Sequence, residues 1–152
     1  MTFLEAKNEF DKTFGSSSSL AMSLVPVDGK TVANIAIRNA SGQKLEEYFK
    51  WQFIYALIHS GMYSKDYVGA EIRFPKGNKS SAPLKVDAVV FDDPSWLSRY
   101  NSYWSTRKAE HLEWLTSHIL SVVEFKKGDK EIEKVYTGQV KAAMKEKDPA
   151  DS

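Results

Sequence analysis

The sequence contains no cysteine. That excludes a disulfide framework and a thiolate zinc site, and it permits a reducing compartment. No apolar run approaches the length needed to span a bilayer, and the opening MTFLEAKNEFDKTF has no apolar signal core. The cytoplasm is therefore the expected location, with no membrane among the expected partners. Charge of one sign is lacking too. A formal net charge of +1 excludes a broadly basic nucleic-acid coat and an acidic tail, while leaving room for a local basic groove. The glycines are scattered, with neither a phosphate-cradling Gly-Lys-Ser/Thr run nor a Gly-x-Ser-x-Gly nucleophile elbow. What is present is a chain of 152 residues, 42% hydrophobic and 27% charged, a composition that predicts one globular domain with a sizeable core.

Residues 2–14 carry Phe3, Leu4, Phe10 and Phe14 at helical spacing and predict a short helix, broken by GSSSS. LAMSLVPVDGKTVANIAIRN predicts a hairpin, with Asp28-Gly29 supplying the positive φ angles of a two-residue turn. SGQKLEEYFKWQFIYALIHSG predicts the main helix, capped by Ser41, ended by Gly61, and apolar over enough of its circumference to be largely buried. YVGAEIRF alternates, which puts Val68, Ala70, Ile72 and Phe74 on one face and leaves Glu71 as a solvated acid on the other. LKVDAVVF predicts a second strand, antiparallel to the first. Residues 92–118 read as irregular, then helical around TRKAEHLEWLTSH. ILSVVEFKK predicts a third strand and DKEIEKVYTGQVKAAMKEK a closing helix.

Within these strands sit misplaced charges. Asp87 lies among Val86, Ala88, Val89 and Val90, and Glu124 and Lys126 interrupt the apolar run SVVEFKKG. Residues two apart in a strand share a face, so Glu124 and Lys126 point the same way while Phe125 points into packing. A buried carboxylate is costly unless it is paired or binds a cation. Two carboxylates on adjacent strands can share a hard divalent ion, with a lysine beside it to orient water or neutralise charge on a phosphorane. The competing reading is a structural ion pair between Lys126 and Glu124 at a strand end.

An Asp strand, KVDAVVFD, followed by Glu-x-Lys in VEFKKG, resembles the PD-(D/E)XK nuclease superfamily. LEEYFKWQFIYALIHSG is similar to the Glu-Glu-x-x-Arg helix that opens the N-terminal nuclease domain of type I-like restriction enzymes, with Lys50 where Arg is usual. VYTGQVKAAM offers Gln139 for the Gln helix that follows the Glu-x-Lys strand, although Ala143 stands where a Tyr is common. The resemblance covers residues 41–146. It leaves residues 1–40 as a helix-hairpin extension and 92–118 as an insertion between two strands that the family joins by a short turn.

The resemblance implies an α/β (α+β) restriction-endonuclease-like fold, a mixed central sheet flanked by helices. It implies magnesium- or manganese-dependent hydrolysis of DNA phosphodiester bonds in restriction or another defence against foreign DNA. Asp87, Glu124 and the backbone carbonyl of Phe125 would hold the metal. Glu46 (with Glu47 as the alternative) would help, Lys126 would act on the water or the transition state, and Gln139 would stand nearby. Expected partners are DNA and the helicase or methyltransferase domains of a longer parent protein, of which this would be the N-terminal fragment. The alternatives are a catalytically inactive module of the same fold that binds DNA or a partner protein, and a nuclease acting on RNA or repair intermediates. His59, His111 and His118 share no ligand spacing. The aromatics Trp96, Tyr100, Tyr103, Trp104 and Trp114 serve either as packing or as a stacking platform for bases.

Overall fold

Thr2 opens the first helix, α1 (Phe3–Thr13), with a reciprocal cap. Its hydroxyl accepts from the Glu5 N–H at 3.0 Å, and its own N–H donates to the Glu5 carboxylate at 2.8 Å. A computed structural model describes residues 1–76 and 82–125 together with the backbone of 134–135. After α1 come β1 (Ser19–Met22) and β2 (Ala33–Ala36), α2 (Glu46–His59), a 3-10 turn at Lys65–Tyr67, β3 (Val68–Phe74), β4 (Leu84–Phe91), α3 (Trp96–Thr106), α4 (Ala109–Ser117), β5 (Ile119–Glu124) and β6 (Lys134–Val135).

The molecule is of the mixed α+β class, with two antiparallel sheets and four helices among the described residues. β1 and β2 form the small sheet. The larger has the order β3-β4-β5-β6, with every neighbouring pair antiparallel. This corrects the expected mixed sheet over the described strands, and the reason is visible in the connection from β4 to β5. The Asp92 N–H donates to the His118 carbonyl at 2.9 Å, so the helical excursion leaves and re-enters at one end of the sheet. Strands joined that way run antiparallel, because parallel pairing needs a crossover to the opposite end. The excursion is two helices rather than an irregular stretch and one helix. Lys134–Val135, inside the stretch expected as a closing helix, instead pairs with Val123 and Glu124 on the free edge of β5.

The sheet is covered on both faces. Val68, Ala70, Ala88, Val90 and Val123 share a core with α1 and α2, whereas Ile72, Phe74, Val86, Val89, Phe91 and Val122 share one with α3 and α4. β3 therefore does not keep one apolar face. Its side chains, and those of β4, change sides at one level of the ladder, between the pairs Ala70↔Ala88 and Ile72↔Val86. Glu71 and Asp87 occupy that level, and Glu71 has φ +49°, a left-handed backbone that only glycine adopts without strain.

Residues 1–40 are tied into this core. Phe10 is fully buried, with its ring edge-on to Tyr48 and Tyr55 of α2. Asp11 accepts hydrogen bonds from the Tyr48 hydroxyl and, at 2.8 Å, from Gln52. Asp28 and Gly29 form the two-residue turn with φ of +51° and +82°, closed by Val27 and Lys30. That turn docks on β3 through the Asp28 N–H to the Ala70 carbonyl at 2.9 Å. α2 begins at Glu46 rather than after Ser41, because the Asn39 side chain takes the Ser41 and Gln43 N–H groups into a local turn. Among the described residues no helix is long and apolar enough to cross a membrane.

Candidate active site

The register brings the sequence-derived carboxylates together. Ala88 pairs with Val123, so the next residues along each strand, Asp87 and Glu124, face one another across β4 and β5. The Asp87 carboxylate accepts the backbone N–H of Phe125 at 2.8 Å, which fixes its position at the end of β5. The Phe125 ring meets Phe53 of α2 edge-on at 5.7 Å. Burial raises the affinity of the Glu124 carboxyl for its proton, and the Asp87 charge raises it further. The second effect means that the two acids feel each other. Among the described residues no lysine, arginine or histidine forms an ion pair with either.

A second charged group, centred on Glu71, occupies the same level of the ladder on β3. Lys50 projects from α2 with only 3% of its surface exposed. Its ammonium stands 3.1 Å from Glu47 and 3.6 Å from Glu71, and Lys85 on β4 approaches the other oxygen of Glu71 at 3.1 Å. Glu47 also accepts the Trp51 indole N–H at 3.0 Å. Burial works to raise the Glu71 carboxyl, but Lys50 and Lys85 outweigh it and hold the group below its ordinary value. Glu71 is thus a half-buried partner of two lysines and not the solvated acid expected. An acid inside VGAEIRF and a lysine inside an apolar helix were the two signals that could have revealed the pair.

Glu46 stands exposed on the first turn of α2, and it is Glu47 that turns toward Lys50. Lys126 and Gln139 lie outside the described residues. The histidines take ordinary structural partners. His59 stacks on Tyr55, His111 meets Arg99, and His118 meets Asp92 and Trp114. A solvent-open cleft of about 320 Å³ lies elsewhere, against Ser23, Val25, Pro26, Asp66 and Trp96, and contains none of these acids.

Asp87 and Glu124 offer oxygen donors alone, suited to a hard divalent ion, and a cation would relieve their repulsion. Among the described residues no group of three or more acidic, histidine or cysteine side chains is placed to hold a metal ion. Among the described residues, an ion at the pair would rest on two carboxylates and on backbone oxygen. Comparison with protein-family models, curated proteins and solved structures gives no match to this chain.

Proposed function

We propose that the chain is a metal-dependent endonuclease domain of restriction-endonuclease-like fold, hydrolysing DNA phosphodiester bonds in restriction or another defence against foreign DNA. One observation carries this reading: Asp87 and Glu124 face one another on adjacent strands, mutually repelling, with no cationic side chain paired to them among the described residues. Stability alone gives no reason to oppose two carboxylates in the middle of a sheet.

In this reading Asp87, Glu124 and the Phe125 carbonyl would hold one magnesium or manganese ion. When bound, such an ion polarises the phosphate and lowers the pKa of an attacking water. The Phe125 N–H holds one Asp87 oxygen in place and leaves the other for the ligand. Lys50 neutralises Glu47 and Glu71, so the negative charge open to a cation is concentrated on Asp87 and Glu124. Lys126, two residues after Glu124, keeps the role that the resemblance gives it, orienting the water or stabilising charge on the phosphorane. Helicase or methyltransferase domains of a longer protein would supply the context.

A calorimetric manganese titration tests the site. The parent protein binds the ion and Asp87→Asn does not. Plasmid cleavage in magnesium is lost in Glu124→Gln and Lys126→Ala. Equal manganese uptake by Asp87→Asn, or cleavage surviving both other changes, refutes the mechanism. The exposed position of Glu46 favours the second reading, a nuclease-fold module that binds DNA without cutting it. That reading requires DNA binding with no metal uptake.

A further inference from the structure

The two half-buried tryptophans of the helical insertion are already covered by side chains. Arg73 lies over the Trp104 ring at 4.1 Å from its centroid and Arg107 at 4.7 Å. Arg99 lies over Trp114 at 5.3 Å, and His118 stacks on it at 4.0 Å. Trp96, Tyr100 and Tyr103 are buried in the core. The aromatic surface that a nucleic-acid base would need is thus taken, and the insertion serves a different purpose from a stacking platform. A guanidinium held through its flat face keeps its edge N–H donors for another partner, and a planar fork of donors matches phosphate.

Around Trp104 itself the cations Arg73, Arg107 and Lys108 outnumber the one acid paired there, Asp28. Residues 94–109 contain Arg99, Arg107 and Lys108 and no acidic residue. Arg107 is exposed and takes left-handed backbone, φ +58°, at the end of α3. Arg73 gives its Nε–H to Asp28 at 2.8 Å, and its side chain remains one-third exposed. Through Arg73, the surface is tied to the backbone near the level of the candidate active site. Arg73 pairs with Lys85 across β3 and β4, each two residues from the level of Glu71 and Asp87, roughly 7 Å along the strands.

We infer that the surface built on Trp104, with Arg73, Arg107 and Lys108 as its cations, seats the phosphate backbone of duplex DNA and leads it to the neighbouring carboxylates. The identity of the partner rests on the nuclease reading above; the contact itself does not require hydrolysis. Recognition here is of the backbone and independent of base sequence.

The test is fluorescence anisotropy with a short labelled duplex of mixed sequence, in EDTA, across a salt series. Arg107→Gly removes the guanidinium at a position where glycine relieves the backbone, so the variant keeps its fold, which its circular dichroism melt verifies. Lys108→Ala is its companion, and Lys12→Ala, an exposed lysine on α1, is the control. Each of the first two weakens binding on the order of eightfold at 0.1 M salt and lowers the salt slope by about one, while the control leaves both unchanged. Parent-like affinity and slope in the Arg107→Gly, Lys108→Ala double variant overturns the inference and leaves the hydrolytic reading standing. A parent protein that takes up manganese and cuts DNA, yet whose binding is insensitive to salt, overturns it as well. A parent that neither binds duplex nor takes up manganese overturns both.

Discussion

Replacing Lys50 with methionine tests how the buried charges between α2 and β3 are balanced. Methionine keeps most of the lysine stem's volume in the α2 interface and removes only the ammonium. Lys50 is 3% exposed, with carboxylate oxygens at 3.1 and 3.6 Å. At an effective dielectric constant of about 20, each contact is worth about 5 kcal/mol of Coulomb attraction, most of which offsets the cost of taking the ions out of water. Breaking such a buried pair by removing one partner costs about 3–5 kcal/mol. The lower end applies here, because Glu47 is 40% exposed and Glu71 keeps Lys85 at 3.1 Å. Lys50→Met therefore lowers stability by about 3 kcal/mol, a fall of roughly 6–12 °C in Tm for a domain of this size. Adding Glu47→Gln and Glu71→Gln to Lys50→Met restores more than half of the loss. The stranded charges are then gone, and the side-chain amide oxygen introduced by Glu47→Gln still accepts the Trp51 N–H. Urea unfolding followed by circular dichroism measures all three proteins. A Lys50→Met variant as stable as the parent, or a triple variant weaker than the single, refutes the reasoning.

Gly69→Ala builds a methyl group 2.5 Å from the Trp96 ring and 2.9 Å from Ile72, both fully buried, so it costs about 1–3 kcal/mol by overpacking and shows as a lower urea midpoint at unchanged slope. Glu71 has a folded-state pKa below its ordinary 4.5, so its stabilising contribution is complete above pH 4.5 and fades as pH falls through the lowered value. Between these limits the parent loses more stability on acidification than Glu71→Gln does, and parallel acid profiles in a thermal-shift assay refute the assignment. Manganese at a hundred times its dissociation constant stabilises the parent by about 2.7 kcal/mol and leaves the melting curve of Asp87→Asn unmoved.

Much of the fold was legible because local signals agreed with the tertiary outcome. The Asp28-Gly29 turn, the helix over 3–13 and the buried α2 follow from backbone chemistry and apolar spacing. Where the reading departed, a competing interaction decided. Asn39 drew the backbone donors that Ser41 was expected to organise, and the free edge of β5 took Lys134–Val135 into a strand. At the candidate site, Asp87 and Glu124 were visible as acids in apolar strands. The role of Glu47 over Glu46 was not, because the two are adjacent and only the rotation of α2 against the sheet decides which of them meets Lys50.

The change of sides at Glu71 and Asp87 was hidden for a related reason. Period-two alternation assumes regular backbone, and it predicts one apolar face for Val68, Ala70, Ile72 and Phe74. A single left-handed residue at Glu71 sends the first two toward α2 and the last two toward α3. Valine or isoleucine at that level would be cheaper on every count: no strained φ, no half-buried carboxylate, no opposed acids. Three rules of strand construction are thus broken at one level of the ladder, by Glu71, Asp87 and Glu124. The strain and the burial are offset by Lys50, Lys85 and the Phe125 N–H. The repulsion between Asp87 and Glu124 has no such offset among the described residues. A cation would supply it, and that is the physical reason for placing the chemistry at this pair and not at the cleft beside Trp96.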